Sequence, residues 1–112
     1  MIESRAFWRC ISDATTETKA QKVAKWVRER LDHDIAKISI KPHHHGGFEI
    51  TFHTLHSAPD WSELVVEVIE LGQRVASCWT LTGDVRREPD ACSNKPSISG
   101  LTWVHWDLGR PG

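Results

Sequence analysis

Alternating hydrophobic and polar positions, together with β-branched and aromatic residues, predict five β-strands in this chain. The run FEITFHTL shows the alternation most clearly, with Phe48, Ile50 and Phe52 on one face. The five segments are residues 4–12, 34–41, 48–55, 74–82 and 101–108.

The second and third strands are joined by six residues, PHHHGG, which contain one proline and two glycines. A connection of this kind predicts a β-hairpin. In such a hairpin Lys41 lies close to Glu49 on the polar face.

Two segments have the 3.6-residue periodicity of amphipathic helices. The first follows a start signal in which Asp13, Thr15 or Thr16 is the N-cap. Its apolar stripe consists of Ala20, Val23, Ala24, Val27 and Leu31. The second begins at Asp60, which has capping-box spacing to Glu63, or three residues earlier at Ser57, and stops near Gly72. Its apolar stripe consists of Trp61, Leu64, Val65, Val68 and Leu71, and Glu63, Glu67 and Glu70 line the opposite side.

The order of these elements, β-α-β-β-α-β-β, predicts an α+β fold. We expect a ferredoxin-like β-α-β-β-α-β arrangement with an additional C-terminal strand, in which an antiparallel sheet has both helices packed on one face. One domain is predicted to span residues 1–112, a length that can bury an ordinary core without disulfides or metal. Its longest loop is the segment 83–100, which is rich in Gly, Pro and Ser.

A sheet with both helices on one face leaves its other face at least partly open. In the last strand Trp103, His105 and Asp107 point to one face, and Val104 and Trp106 point to the other. An indole therefore lies on the outer face in either orientation, and an exposed apolar patch of this kind indicates a binding surface. The alternative is that loop 83–98 or a second copy of the chain covers it.

Composition narrows the class of protein. Six tryptophans among 112 residues exceed what a core of this size needs, so some are expected at the surface as interface anchors. A net charge of −1 argues against a protein that chiefly binds nucleic acid. Three cysteines without paired spacing predict reduced thiols in a cytoplasmic protein. No apolar run approaches the roughly 20 residues that span a bilayer, and the start of the chain lacks a secretion signal, so no membrane role is expected.

Three consecutive histidines, His43, His44 and His45, raise the question of a metal site. Adjacent histidines on a turn point apart, and no cysteine or carboxylate joins His53 and His56 at a known ligand spacing. We therefore predict a simple turn, with no dedicated metal centre and no cofactor. The alternative is adventitious metal binding by a His-rich tract.

Catalytic patterns are weak. The candidate nucleophiles Cys10, Cys78 and Cys92 have no histidine at a diagnostic spacing, and the sequence contains no nucleophile elbow or phosphate-binding loop. His105 and Asp107 either form a polar rim pair or orient an imidazole by a carboxylate. We predict that the protein is not an enzyme.

The remaining features favour a protein that binds a basic partner. Carboxylates would steer a cationic surface towards the protein, and indoles would anchor it. The predicted partner-binding residues are Glu63, Glu67, Glu70, Asp84, Glu88, Asp90, Trp103, His105 and Asp107.

In its size, its acidic and tryptophan-rich character and its stretches ISGLTWVHWDL and CWTLTGD, the chain resembles small bacterial immunity proteins of toxin–immunity pairs, of the contact-dependent growth inhibition type. The resemblance implies a cytoplasmic, non-catalytic inhibitor, monomeric or weakly dimeric, that blocks the active site of a cognate toxin, expected to be a basic nuclease domain. Two alternatives stay open. One is a dimeric ferredoxin-like domain that binds or transforms a small ligand, and the other is an RNA-binding domain, because the RNA-recognition motif shares the same element order.

Overall fold

The computed structural model describes residues 1–111, so only Gly112 of the predicted domain lies outside the described residues. Two helices and eight strands follow one another along the chain. They are β1 (Ile2–Ser12), α1 (Glu17–Leu31), β2 (Ile35–Pro42), β3 (Phe48–Ala58), α2 (Trp61–Val75), β4 (Ala76–Ser77), β5 (Thr80–Thr82), β6 (Asp90–Ser93), β7 (Lys95–Pro96) and β8 (Leu101–Leu108).

Side-chain caps fix the first turns of both helices. The Thr16 hydroxyl accepts the Lys19 backbone N–H, and the Asp60 carboxylate accepts the Glu63 backbone N–H. Of the alternatives the sequence leaves open, Thr16 and Asp60 are therefore the N-caps. The predicted stop of α2 at Gly72 is wrong, because the helix continues to Val75. Gly72 is instead a packing position: a Cβ there would lie 3.1 Å from the Trp79 ring.

The fold is mixed α+β, with two helices and antiparallel strand pairing. Six strands form the main sheet in the order β2-β3-β1-β8-β6-β5, and β4 and β7 form a separate pair. The β2-β3 hairpin is confirmed, with Lys41 directly opposite Glu49.

The ferredoxin-like strand order is not confirmed. In that order the predicted fourth strand, residues 74–82, would lie beside β1. Here its first residues complete α2, and a left-handed residue, Cys78 at φ 53°, divides the remainder into β4 and β5. The C-terminal strand β8 takes the place beside β1 instead, and β5 forms the far edge.

The segment 83–100, predicted as a loop, contains two further strands. β6 pairs with β8 and with β5, so it extends the sheet by two strands beyond β8. Residues 83–89 form the connection between β5 and β6. The sequence signal for β6 is weak because DACS is short and lies among turn-forming residues.

Both helices pack on one face of the main sheet, where the hydrophobic core lies. Alternate residues of β1, β3 and β8 point into this core, including Trp8, Phe52 and Trp106. The Trp8 and Phe52 rings stack with their centroids 5.8 Å apart. Each of these large side chains buries more apolar area than an aliphatic residue of the same core and so contributes strongly to its stability. Among the described residues, neither helix has the length and apolar character needed to cross a membrane.

Candidate protein-binding site on the open face of the sheet

The sheet face opposite the helices carries the alternate side chains of the three central strands. Because Trp8, Cys10, Val104 and Trp106 point into the core, their neighbours along each strand point outwards. The outward side chains of the central strands are Phe7, Arg9, Ile11, Glu49, Thr51, His53, Trp103, His105 and Asp107. Strand pairing sets them in rows across the sheet, and most of them are partly exposed.

A stack of planar groups crosses one part of this face. The Trp103 and His105 rings lie 5.6 Å apart with only 2° between their planes. The Arg9 guanidinium carbon lies 5.9 Å from the Trp103 ring centroid, and Arg9 Nε lies 3.1 Å from Glu49 Oε1. The carboxylate thus holds Arg9 beside the indole, and the partly exposed Trp103 ring is packed between Arg9 and His105.

Two carboxylates lie side by side next to this stack. Asp90 of β6 and Asp107 of β8 are directly opposite each other in the strand register. Asp90 Oδ1 accepts the Thr82 hydroxyl at 2.5 Å and lies 3.6 Å from His105 Nε2. Partial burial raises the pKa of Asp107, and the Asp90 carboxylate adds to the effect while His105 opposes it. Like charges in this position repel, so the pair favours a cation between them.

The charge of the open face is divided. Arg5 and Lys37 lie near His53, and burial of the imidazole together with these two cations lowers the pKa of His53. The carboxylates lie on the β6–β8 side, beside Trp103 and His105. The acidic part of the face is therefore local.

The structure brings four of the nine predicted partner-binding residues together: Trp103, His105, Asp107 and Asp90. Glu63, Glu67 and Glu70 belong to α2, which packs on the other side of the sheet. Glu63 and Glu70 are exposed there and flank Val66, whereas Glu67 is only partly exposed. The predicted acidic surface is thus two surfaces on opposite sides of the molecule.

Asp84 and Glu88 lie in the connection between β5 and β6. Asp84 organises this turn, because its carboxylate accepts the Arg86 N–H and its carbonyl accepts the N–H groups of Arg87 and Glu88. Glu88 borders a cleft together with Arg86, Arg87 and Arg110. These cations offset the negative charge of the turn, which weakens its case as an acidic patch.

The tryptophans divide between core and surface. All six lie in the described part of the chain: Trp8, Trp61 and Trp106 are buried, Trp79 and Trp103 are partly exposed, and Trp26 is 45% exposed. The core therefore buries more of the tryptophan side chains than the composition suggested. Trp103 is the partly exposed indole on the open face, and Trp26 lies on α1.

Sequence reasoning missed Arg9 and His33. Alternation along β1 already places Arg9 on the sheet face that Trp8 does not occupy. Its position beside Trp103 depends on the pairing of β1 with β8, for which the sequence near Arg9 gives no signal. His33 follows α1 and meets His56 of β3 and Glu67 of α2. His33 Nε2 and His56 Nδ1 lie 3.4 and 2.9 Å from the same oxygen, Glu67 Oε1.

The His56 ring belongs to a buried hydrogen-bond chain. Trp8 Nε1 donates to Thr54 Oγ1 at 2.8 Å, and Thr54 Oγ1 lies 2.6 Å from His56 Nε2. The Glu67 carboxylate can only accept, so His56 Nδ1–H donates to it. In the neutral ring Nε2 then accepts a hydrogen bond from the Thr54 hydroxyl, whose oxygen accepts the indole N–H. Burial lowers the pKa of His56, in keeping with a neutral ring, although the hydrogen bond to Glu67 opposes this shift.

Hydroxyl, imidazole and carboxylate follow the order of a catalytic triad here, but the hydroxyl is not available to a substrate. Thr54 is fully buried, and its hydroxyl oxygen accepts a hydrogen bond from the Trp8 indole. Cys10 is also buried, which raises the pKa of its thiol to about 12 and keeps it protonated. Neither group can act as an exposed nucleophile.

Comparisons with protein-family models, with curated proteins and with solved structures find no match for this chain. Its function must therefore be inferred from its own residues.

Proposed function

We propose that this protein is a non-catalytic inhibitor that binds a basic protein through the open face of its sheet. The observation that carries the proposal is the Asp90–Asp107 carboxylate pair beside the Trp103–His105 stack. Both helices pack on the opposite face. Two adjacent carboxylates, with the partly exposed Trp103 further along the same face, suit a cationic partner better than a neutral one.

A lysine or arginine of the partner would relieve the repulsion between the two carboxylates. His105 separates this cation from the Trp103 ring, which would contact an apolar part of the partner further along the face. Arg9 already occupies one side of this ring, held by Glu49. The Asp90–Asp107 side is therefore the docking position that we assign to the partner.

The partner that best fits this chemistry is a nuclease toxin domain, because such domains carry cationic clefts that bind phosphates. We infer that the protein is an immunity protein of the contact-dependent growth inhibition type, acts in the cytoplasm, and covers the active site of one toxin molecule. Its acidic carboxylates would speed association, and Trp103 would provide apolar anchoring.

The test uses the product of the neighbouring gene, which the proposal expects to encode the toxin domain. Co-expression should protect growth from the toxin, and surface plasmon resonance should give the association rate of the pair. The variant Asp90→Asn/Asp107→Asn removes both charges with little change in shape. We expect it to slow association by about tenfold at low salt, with a smaller effect at high salt.

The matched control is Glu63→Gln/Glu70→Gln, which removes two exposed carboxylates from α2 on the other side of the molecule. It should leave the association rate within about twofold of wild type. The reverse order of effects would contradict the assignment of the open face. Absence of a toxin gene at this position, or a homodimer that a small molecule stabilises, would favour a ligand-binding domain instead.

A further inference from the structure

Three elements that are distant in sequence bring two imidazoles and one carboxylate together. His33 follows α1, His56 lies on β3, and Glu67 lies on α2. The nearest ligand atoms of the three side chains all lie within 4.8 Å of one another. Two of the separations are 3.4 Å, from His33 Nε2 to Glu67 Oε1, and 2.9 Å, from His56 Nδ1 to the same oxygen.

The 3.4 Å separation matches a common transition-metal ligand set, and the other two pairs of ligand atoms, at 2.9 Å and within 4.8 Å, need only small shifts to reach it. In a tetrahedral zinc site with ligand bonds of about 2.0–2.2 Å, neighbouring ligand atoms lie about 3.4 Å apart. Two histidines and one glutamate are also a donor set that leaves a fourth position open for water or another ligand. Imidazole nitrogen with carboxylate oxygen favours zinc, cobalt or nickel over calcium or magnesium.

The surroundings hold the central ligand in place. The His56 side chain is fully buried, and its Nε2 atom is hydrogen-bonded to Thr54. Metal-bound histidines in many proteins donate their other ring N–H in such a bond, and with an ion on Nδ1 the His56 Nε2–H would donate to the Thr54 hydroxyl. His33 and Glu67 are partly exposed, with 22% and 35% of their side chains accessible, so an ion can enter from the surface.

Coordination requires a local adjustment of the imidazoles. The His33 and His56 rings now stack with centroids 4.8 Å apart, and His33 Nε2 lies 2.6 Å from the Leu55 carbonyl oxygen. A bound ion would take the place of the protons on His33 Nε2 and His56 Nδ1. Each proton would move to the other nitrogen of its own ring, so that both imidazoles stay neutral.

We propose that His33, His56 and Glu67 form a binding site for a divalent transition-metal ion, with Zn²⁺ as the expected occupant. The site lies beside a surface cleft of about 560 Å³, whose lining includes His56, the acidic residues Glu3 and Asp34 and the basic residue Arg5. An ion here would connect α1, β3 and α2. This proposed site does not depend on the open face of the sheet or on a partner bound to that face.

The experiment measures Zn²⁺ binding to the metal-free full chain by isothermal titration and by the shift in melting temperature. His33→Ala and Glu67→Gln each remove one ligand at a partly exposed position, so both variants should fold without metal. Mutating a residue that is hydrogen-bonded to a metal ligand typically weakens metal affinity about 10- to 100-fold. Loss of a ligand itself should therefore weaken Zn²⁺ affinity by about 100-fold or more. Circular dichroism of the metal-free variants checks the fold.

The matched control is the triple variant His43→Ala/His44→Ala/His45→Ala, which removes the three histidines of the β2–β3 turn, of which His44 and His45 are exposed and His43 is partly exposed. Their rings lie 4.0–5.6 Å apart and are the alternative site for a metal ion. The control should retain the Zn²⁺-dependent stabilisation. Co²⁺ provides a second readout, since its visible absorption is much stronger in a tetrahedral than in an octahedral site.

Stabilisation that disappears in the turn variant and persists in His33→Ala would overturn the proposal. So would a wild-type chain whose melting temperature Zn²⁺ does not change. Weak, octahedral Co²⁺ spectra that are the same in wild type and Glu67→Gln would likewise show that the three side chains do not form a site.

Discussion

Replacing Thr54 tests the buried hydrogen-bond chain that joins β1, β3 and α2. The Thr54 hydroxyl accepts the Trp8 indole N–H and donates to His56 Nε2. Thr54→Val keeps the shape of the side chain but leaves both neighbours without a partner in a fully buried position. Each unsatisfied buried polar group costs about 1–3 kcal/mol, so we expect the free energy of unfolding to fall by about 2–4 kcal/mol.

Thr54→Ser is the matched control because it keeps the hydroxyl and removes one methyl group. Its expected cost is about 1 kcal/mol. Urea unfolding followed by circular dichroism, with EDTA present to exclude metal effects, gives both values from the transition midpoints. A Thr54→Val variant as stable as Thr54→Ser, or more stable, would refute the hydrogen-bond chain as a source of stability.

Two further predictions concern charge and backbone conformation. Asp107→Asn should raise the free energy of unfolding at pH 7 by up to about 1 kcal/mol, because it removes a partly buried charge and its repulsion with Asp90. The pKa of Asp107 is raised in the folded state, so the stability difference between Asp107→Asn and wild type should shrink as the pH falls and vanish below the ordinary carboxyl pKa of 3.8. Urea unfolding at several pH values measures this difference. A difference that is unchanged below pH 3.8 would contradict the prediction. Gly46→Ala should lower the free energy of unfolding by about 1–2 kcal/mol. Gly47→Ala should lower it by clearly more than that. Both glycines have positive φ. A Cβ at Gly47 would lie 2.0 Å from the Ser12 carbonyl oxygen, whereas a Cβ at Gly46 would have none of the surrounding atoms within 4 Å. Equal losses of stability in the two variants would argue against the Ser12 contact.

Local signals were sufficient for much of the architecture. The 3.6-residue periodicity identified both helices, and capping chemistry limited their starts to a few residues that include Thr16 and Asp60. The β2–β3 hairpin followed from alternation on both sides of PHHHGG, including the Lys41–Glu49 pairing. These features depend on residues close together in the chain, and propensity describes such interactions well.

Strand order depends on long-range packing, for which this sequence has no local signal. β8 pairs with β1 because Val104 and Trp106 complete the core beside Cys10 and Trp8. The segment 74–82 has strand composition, yet α2 extends into it and Trp79 packs against Gly72. Tertiary packing therefore overrides local β-propensity there.

The candidate site was predictable only in part for the same reason. Alternation placed Trp103, His105 and Asp107 on one face, which the structure shows to be the open one. Asp90 joins them only through the β6–β8 pairing, and Glu67 turns towards His33 and His56 rather than contributing to an acidic helix surface. A list of acidic residues cannot separate these environments, because their charges are the same and only their neighbours differ.

The most direct test of the central claim compares two indoles by isothermal titration with the toxin domain that the proposal expects from the neighbouring gene. Trp103→Ala removes the open-face indole, and Trp26→Ala removes the more exposed indole of α1, on the other side of the sheet. We predict that Trp103→Ala raises Kd by about 30-fold, equivalent to about 2 kcal/mol, and that Trp26→Ala leaves it within about twofold. An unchanged Kd for Trp103→Ala, or a larger loss for Trp26→Ala, would contradict binding through the open face of the sheet.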